Sequence, residues 1–386
     1  MKRCGPSFLI GCAALLCSCT STVLLPVSDR NFTQFDEDER GIWQRSAEQE
    51  QAINTSGFIY EDPALDAYLN TIAKRLQPTS VYERIPFALT VIRDPSLNAF
   101  AMPNGAIYVH TGILASLENE AQLAALIAHE MTHATHRHAV KKQRDSKNRS
   151  AVMASLGAAT GGLGMVLGPV VLSSAYGYSR DLEREADREG FQLLINAGYE
   201  LAESTRVFER IKEVIEEEEV SEPFFFGTHP RIIERIEHYQ ELIKVHSGSQ
   251  AGRYRNEEQY RSQVRPLLLE NARLNIAVGR YKRAESALLK YARSYPFDTQ
   301  AYYLLGEAYR KQGGDDSLQK AREQYNRVLE LDPLHVETHK MLGLVLFKSG
   351  DFNSARRYLA TYLELNAGAP DRSYIEDYIL QCQRSK

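Results

Sequence analysis

The sequence predicts an α+β domain, mostly helical with a small sheet, followed by an all-α solenoid of helical repeats. Three observations predict it. Short strand-like runs at 85–94 and 106–109 lie among longer helical patterns. ALIAHEMTHATHRHA, residues 125–139, places four of the chain's ten histidines in one such pattern. In the C-terminal third, glycine, alanine and proline recur at a spacing near 34 residues. The length of 386 residues is enough for two or three domains.

The chain opens with Lys2 and Arg3, then the apolar run FLIGCAALLC at 8–17. That run is too short to span a bilayer, which takes about 20 residues, and fits a secretory signal. Its end, Leu16-Cys17-Ser18-Cys19, resembles a bacterial lipobox. Residues 1–18 are therefore expected to be a lipoprotein signal peptide, with Cys19 lipidated as the membrane anchor. Thr20 stands where an aspartate would mark inner-membrane retention. The expected location is the periplasmic face of the outer membrane; the alternative is a soluble periplasmic protein. Of five cysteines only Cys382 then remains free, so no intramolecular disulfide is available. Residues 19–45 are polar, with the acidic run Asp36-Glu37-Asp38-Glu39, and read as a tether. The net charge of −4 gives no case for nucleic acid or an acidic substrate.

The first domain is expected over 46–248. Residues 46–75 read as helix and IPFALTVIRD at 85–94 as a strand. Pro103-Asn104-Gly105 reads as a turn leading into the strand Ala106-Ile107-Tyr108-Val109. Asn119 is placed to cap the next helix, with Gln122 as capping-box partner, and that helix is expected to run to about residue 141. Residues 151–178 carry no charge. Their glycines suggest a buried or membrane-touching hairpin, with a true span as the alternative. The second domain is expected over 262–386. Ala284, Ala321 and Ala355 lie 37 and 34 residues apart (321−284 and 355−321). The pattern fits about three tetratricopeptide repeats over 262–370 and a closing helix from Tyr374 to Gln383.

His129-Glu130-Met131-Thr132-His133 is an HExxH motif. Residues four apart lie about 40° apart on a helix, so His129 and His133 can share one zinc. Glu130 projects to the side, toward a water on the metal. Catalytic zinc takes three protein ligands. In SRDLEREAD, from Ser179, Glu183 and Asp187 again share a face. Glu183 fits as third ligand, and Asp187 can accept the other ring N–H of a ligating histidine. Glu185 is off this face and reads as a surface carboxylate. One zinc per chain is expected.

HEMTH, GYSRDLEREADREG and THPRIIERI together resemble the signatures of metallopeptidase family 48, the gluzincin zinc endopeptidases. The resemblance implies a zincin-type metalloprotease fold for the first domain. It implies His129, His133 and Glu183 as zinc ligands and Glu130 as catalytic base. It places His229 by the metal, either plugging the open position or donating to the transition state, and carries Arg235 over as well. NAFAMPNGAIYVHTGIL is similar to the family's segment before the zinc helix, so Ala106, Ile107, Tyr108 and Val109 are expected to offer a strand edge to substrate. His138 matches a histidine common after the motif and His136 does not; both read as non-ligands. Phe224-Phe225-Phe226 either close the cleft or pack in a core. The order of signal, protease and repeats resembles periplasmic members of the family. It implies hydrolysis of peptide bonds in misassembled or outer-membrane proteins recruited through the repeats, with the outer-membrane assembly machinery as a partner. The rival reading is a non-proteolytic assembly factor or chaperone acting through the repeats.

Overall fold

The computed structural model describes residues 24–148, 177–218, 232–246 and 252–384. Cys19, residues 151–176, Phe224, Phe225, Phe226 and His229 lie outside the described residues.

The expected tether is folded from residue 24 onward. Helix α1 (Glu37–Asn54) starts inside it, and Asp36 and Glu39 cap that helix reciprocally. Val27 and Phe32 are buried in the main core, and Val27 N–H donates to Thr135 O at 2.8 Å. The acidic run is not a solvated linker. Arg137 pairs with Glu39 and Asp36, and Arg144 pairs with Asp36 and Asp38 at 2.8 and 2.7 Å.

Helix α2 (Pro63–Leu76) is capped by Asp62, which accepts from Ala64 and Leu65 N–H. A one-turn helix α3 (Thr79–Tyr82) leads to the sheet of β1 (Ala88–Ile92), β2 (Ala99–Ala101) and β3 (Ala106–His110). The strand order is β1-β3-β2, with β3 parallel to β1 and antiparallel to β2. Gly105, at φ 95°, makes the expected turn. The expectation that Ala106–Val109 offers an edge fails here. β3 is the central strand, hydrogen-bonded on both sides and buried throughout. Among the described residues, no strand pairs with the far side of β2, which is the open edge. Met102 N–H donates to Ala106 O, and His110 N–H donates to Asn98 O. Alternation in an antiparallel ladder then turns Ala99 and Ala101 outward.

Helix α4 (Thr111–Ser116) follows β3, and α5 (Glu120–Thr135) carries the HExxH motif. Every residue of α5 is buried, as expected of a helix at the centre of its domain. Asn119 Oδ1 accepts from Gln122 N–H at 3.0 Å, while the Gln122 side chain reaches back to Glu118 N–H rather than to Asn119. Glu120, at the positive end of the helix, accepts from Tyr68, Tyr199, Asn256 and Arg75 at 2.8–3.0 Å. The helix stops at Thr135, short of the expected 141. Arg137 takes φ 58°, held by Glu39, Asp36 and Leu25 O. Helix α6 (His138–Asn148) starts afresh. Helices α7 (Arg180–Ala197), α8 (Glu203–Glu218) and α9 (Ile232–Val245) complete the domain. Gly190 lets α7 approach α5 closely: a Cβ there would sit 3.1 Å from His129 N.

The repeats are three helix pairs with a closing helix: α10 (Glu257–Ala277) with α11 (Tyr281–Ser294), α12 (Thr299–Gln312) with α13 (Asp315–Leu331), α14 (Val336–Lys348) with α15 (Phe352–Leu365), then α16 (Arg372–Arg384). Where helices cross, a Cβ on Gly306 would collide with Tyr325, and one on Gly343 would sit 2.7 Å from Leu359. Helix α10 serves both parts. Tyr260, Val264 and Leu267 join the first domain's core, while Ala272 and Ile276 join that of the repeats. No helix among the described residues is long and apolar enough to cross a membrane.

Candidate zinc centre

α5 and α7 bring His129, His133 and Glu183 together. They are 0%, 3% and 5% exposed. His129 Nε2 and His133 Nε2 are 3.0 Å apart. Glu183 Oε2 lies 3.4 Å from His129 Nε2, and its Oε1 lies 3.6 Å from His133 Nε2. A tetrahedral zinc with arms of 2.0–2.1 Å has ligand–ligand edges of about 3.3 Å. The three donors bracket that length, and all lie within 4.8 Å of one another. Two imidazoles and one carboxylate are also the donor set of gluzincin-type catalytic zinc. The residues present fit the metal.

Each histidine's far nitrogen is engaged. His129 Nδ1 lies 2.9 Å from Asp187 Oδ1 and 2.8 Å from Arg235 Nη2, which itself pairs with Asp187; with Nε2 turned to the metal, Nδ1 carries the proton and the carboxylate accepts it. Burial and the Arg235 charge push the His129 imidazolium down, but hydrogen bonds to Asp187 and Glu183 outweigh them and hold it at about 9. Arg235, carried on α9 and 3% exposed, clamps Asp187 through Nε at 3.1 Å and through Nη2. Its guanidinium lies 4.2 Å over the Phe208 ring.

His133 Nδ1 meets His138 Nδ1 at 2.8 Å. With Nε2 reserved for metal, His133 Nδ1–H donates and His138 accepts. His138 then carries its proton on Nε2, which lies 3.3 Å from Glu185 Oε2. Burial lowers the His138 pKa, in keeping with a neutral ring. Glu185 also takes Lys141 at 3.0 Å, so it is a partly buried link and not the surface carboxylate expected from its position. His138 and His136 stay outside the ligand set, but His138 orients His133. The Tyr178 ring stacks on His133 at 4.1 Å and 14°. Burial, then the Glu130 and Glu183 charges, push its phenol up, so the hydroxyl keeps its proton.

Glu130 is 2% exposed, and its Oε2 accepts from Ala101 N–H at 3.1 Å. The base candidate thus faces the open edge of β2. Sequence reasoning missed His138, Tyr178 and Ala101. On an unbroken helix His138 would point about 140° away from His133; only the kink at Arg137 turns it back. Tyr178 and Ala101 lie inside GYSRDLEREADREG and NAFAMPNGAIYVHTGIL, but no spacing rule gave either a role.

Comparisons with known proteins agree with this geometry. Residues 63–243 match the model of Peptidase family M48, and residues 269–333 and 314–370 match that of a tetratricopeptide repeat. The beta-barrel assembly-enhancing protease of Escherichia coli K12 is 30% identical over 164 residues, 38% of this chain and 33% of that protein. That of Yersinia pestis is 28% identical over 160 residues, 38% and 33% of the two chains. The mitochondrial metalloendopeptidase OMA1 of Schizosaccharomyces pombe is 32% identical over 178 residues, 46% and 52% of the two chains. The matches span about a third to a half of these relatives' lengths. Residues 63–243, which carry the three candidate ligands and Glu130, form a Peptidase family M48 domain, and tetratricopeptide repeats follow it in the same chain.

Proposed function

We propose that the chain is a zinc-dependent endopeptidase of the bacterial cell envelope that cleaves proteins recruited through its repeats. One observation carries this reading: the donor triangle of His129, His133 and Glu183 lies beside Glu130, and Glu130 touches the open edge of β2. When bound, zinc supplies Lewis acidity to a water and to the scissile carbonyl. Glu130 accepts the proton of the attacking water and passes it to the leaving amine. Asp187 and His138 hold the two imidazoles in the tautomer that offers Nε2. Ala99 and Ala101, rather than Ala106–Val109, align the substrate backbone by strand addition. The family resemblance implies His229 as an oxyanion donor or as a plug. The order of basic, apolar and cysteine segments supports a lipid anchor at Cys19 facing the periplasm. Protein clients, including outer-membrane proteins and their assembly machinery, fit the repeats and the relatives' names.

The test is Glu130→Gln. Cleavage of an unfolded protein substrate should fall about 10²- to 10⁴-fold, as loss of a general base does, with zinc content unchanged. If wild type and variant, both zinc-loaded, cleave nothing yet bind clients equally, the chain is a scaffold and the endopeptidase reading fails.

A further inference from the structure

A cleft of about 660 Å³ separates α4 and α8 of the first domain from α10 and α11 of the repeats. None of its lining residues belongs to the zinc centre. Five cations line it, Arg210, Arg280, Lys282, Arg283 and Lys290, with no aspartate or glutamate lining it among the described residues. The chain as a whole is net negative, at −4, so the clustering is local. Arg210 is partly engaged, by Glu213 at 2.8 Å and Ser116 O at 3.3 Å, and Arg280 lies 3.4 Å from Pro95 O. Lys282 and Lys290 are exposed, and no ion pair holds either among the described residues.

Asn275 lines the same cleft at 0% exposure. Its Nδ2 donates to Asn271 O at 2.9 Å, which fixes the amide orientation, and its Oδ1 has no partner among the described residues. An occupant that brings anionic groups for the lysines and an N–H for this buried acceptor matches both features. A single phosphate or lipid headgroup phosphate places its charge at one point, whereas Lys282 and Lys290 lie eight residues, about 12 Å, apart along α11. A peptide with acidic side chains brings both the spaced charges and the N–H. The cleft is also preformed, because α10 is packed into the cores on both sides of it. A fixed wall lowers the ordering cost of binding.

We propose that this cleft docks an extended acidic segment of a protein partner, with carboxylates on Lys282 and Lys290 and a backbone N–H on Asn275. The proposal does not depend on the chain being a protease.

The probe is a fluorescein-labelled, C-amidated hexapeptide alternating glutamate and alanine. Its anisotropy is read against the full zinc-loaded chain carrying Glu130→Gln, so that nothing is cut. Saturable binding is expected that weakens as salt is raised. Lys282→Glu with Lys290→Glu should weaken it at least about tenfold, and the milder pair Lys282→Gln with Lys290→Gln several-fold. Asn275→Leu should weaken it with little change in salt dependence. The matching pair Lys311→Glu with Lys320→Glu, outside the cleft, should leave it unchanged. Equal weakening by both charge-reversal pairs would mean non-specific attraction and overturn the proposal. So would full affinity in Asn275→Leu together with equal binding of inorganic phosphate or of phosphatidylglycerol vesicles, which would make the cleft a simple anion site.

Discussion

Asp187→Asn removes one charge from a closed contact of three side chains. Asp187 is 2% exposed and accepts from His129 Nδ1–H at 2.9 Å while holding Arg235, itself 3% exposed. Two losses follow. Asparagine keeps one acceptor oxygen, but a neutral hydrogen bond is about half as strong as a charge-assisted one. Losses of this kind weaken metal binding about 10- to 100-fold, or about 1.4–2.7 kcal/mol. Arg235 is also left buried without its counter-charge, and breaking such a pair costs about 3–5 kcal/mol of folding stability. The two losses can be separated. Adding Arg235→Met removes the stranded charge, so urea unfolding of the metal-free double variant should return toward wild type while zinc affinity stays low. Competition against a chromophoric chelator reads the affinity. Wild-type affinity in Asp187→Asn would show that the carboxylate does not orient His129. Recovery of affinity together with stability in the double variant would trace the loss to the Arg235 charge instead.

His138→Ala takes away the acceptor of His133 Nδ1–H. Zinc affinity in the same competition should fall about tenfold or more, and no change would remove His138 from the orienting chain. Cys19→Ala should release the protein from the membrane fraction on cell fractionation. Retention would mean that another segment, such as 151–178, is the anchor.

How much of this was legible depended on the range of the interaction. The candidate ligands were legible because each pair is set four apart within one helix, so spacing alone places them on one face. Asp187 followed from the same rule, and the repeats from their period. The substrate edge was not legible, because strand order is a long-range property. Ala106–Val109 reads as a strand whether it lies at the centre or the rim, and only the pairing of both neighbours with β3 excludes it. The tether was misread for a related reason. An acidic run looks solvated until the cations that meet it, Arg137 and Arg144, are brought from about a hundred residues away. Those contacts also hold the kink that turns His138 toward His133, so one unseen interaction hid two features.

The contact between Ala101 and Glu130 ties substrate docking to the base. Ala101 N–H faces away from β3 and donates to Glu130 Oε2 at 3.1 Å. A substrate strand on β2 can take that N–H for a peptide carbonyl, which leaves Oε2 free to face the attacking water. Ala101→Pro removes the donor. Proline is tolerated on an edge strand where its N–H would point away from the ladder, so the fold and zinc affinity should survive. One ladder hydrogen bond contributes about 0.5–1.5 kcal/mol net, so KM for an unfolded protein substrate should rise roughly 2- to 10-fold. If the N–H instead serves to hold Glu130 in place during proton transfer, kcat should fall while KM stays put. Steady-state kinetics on the zinc-loaded variant separate the two outcomes. Wild-type KM and kcat together would show that substrate does not pair with β2 at Ala101.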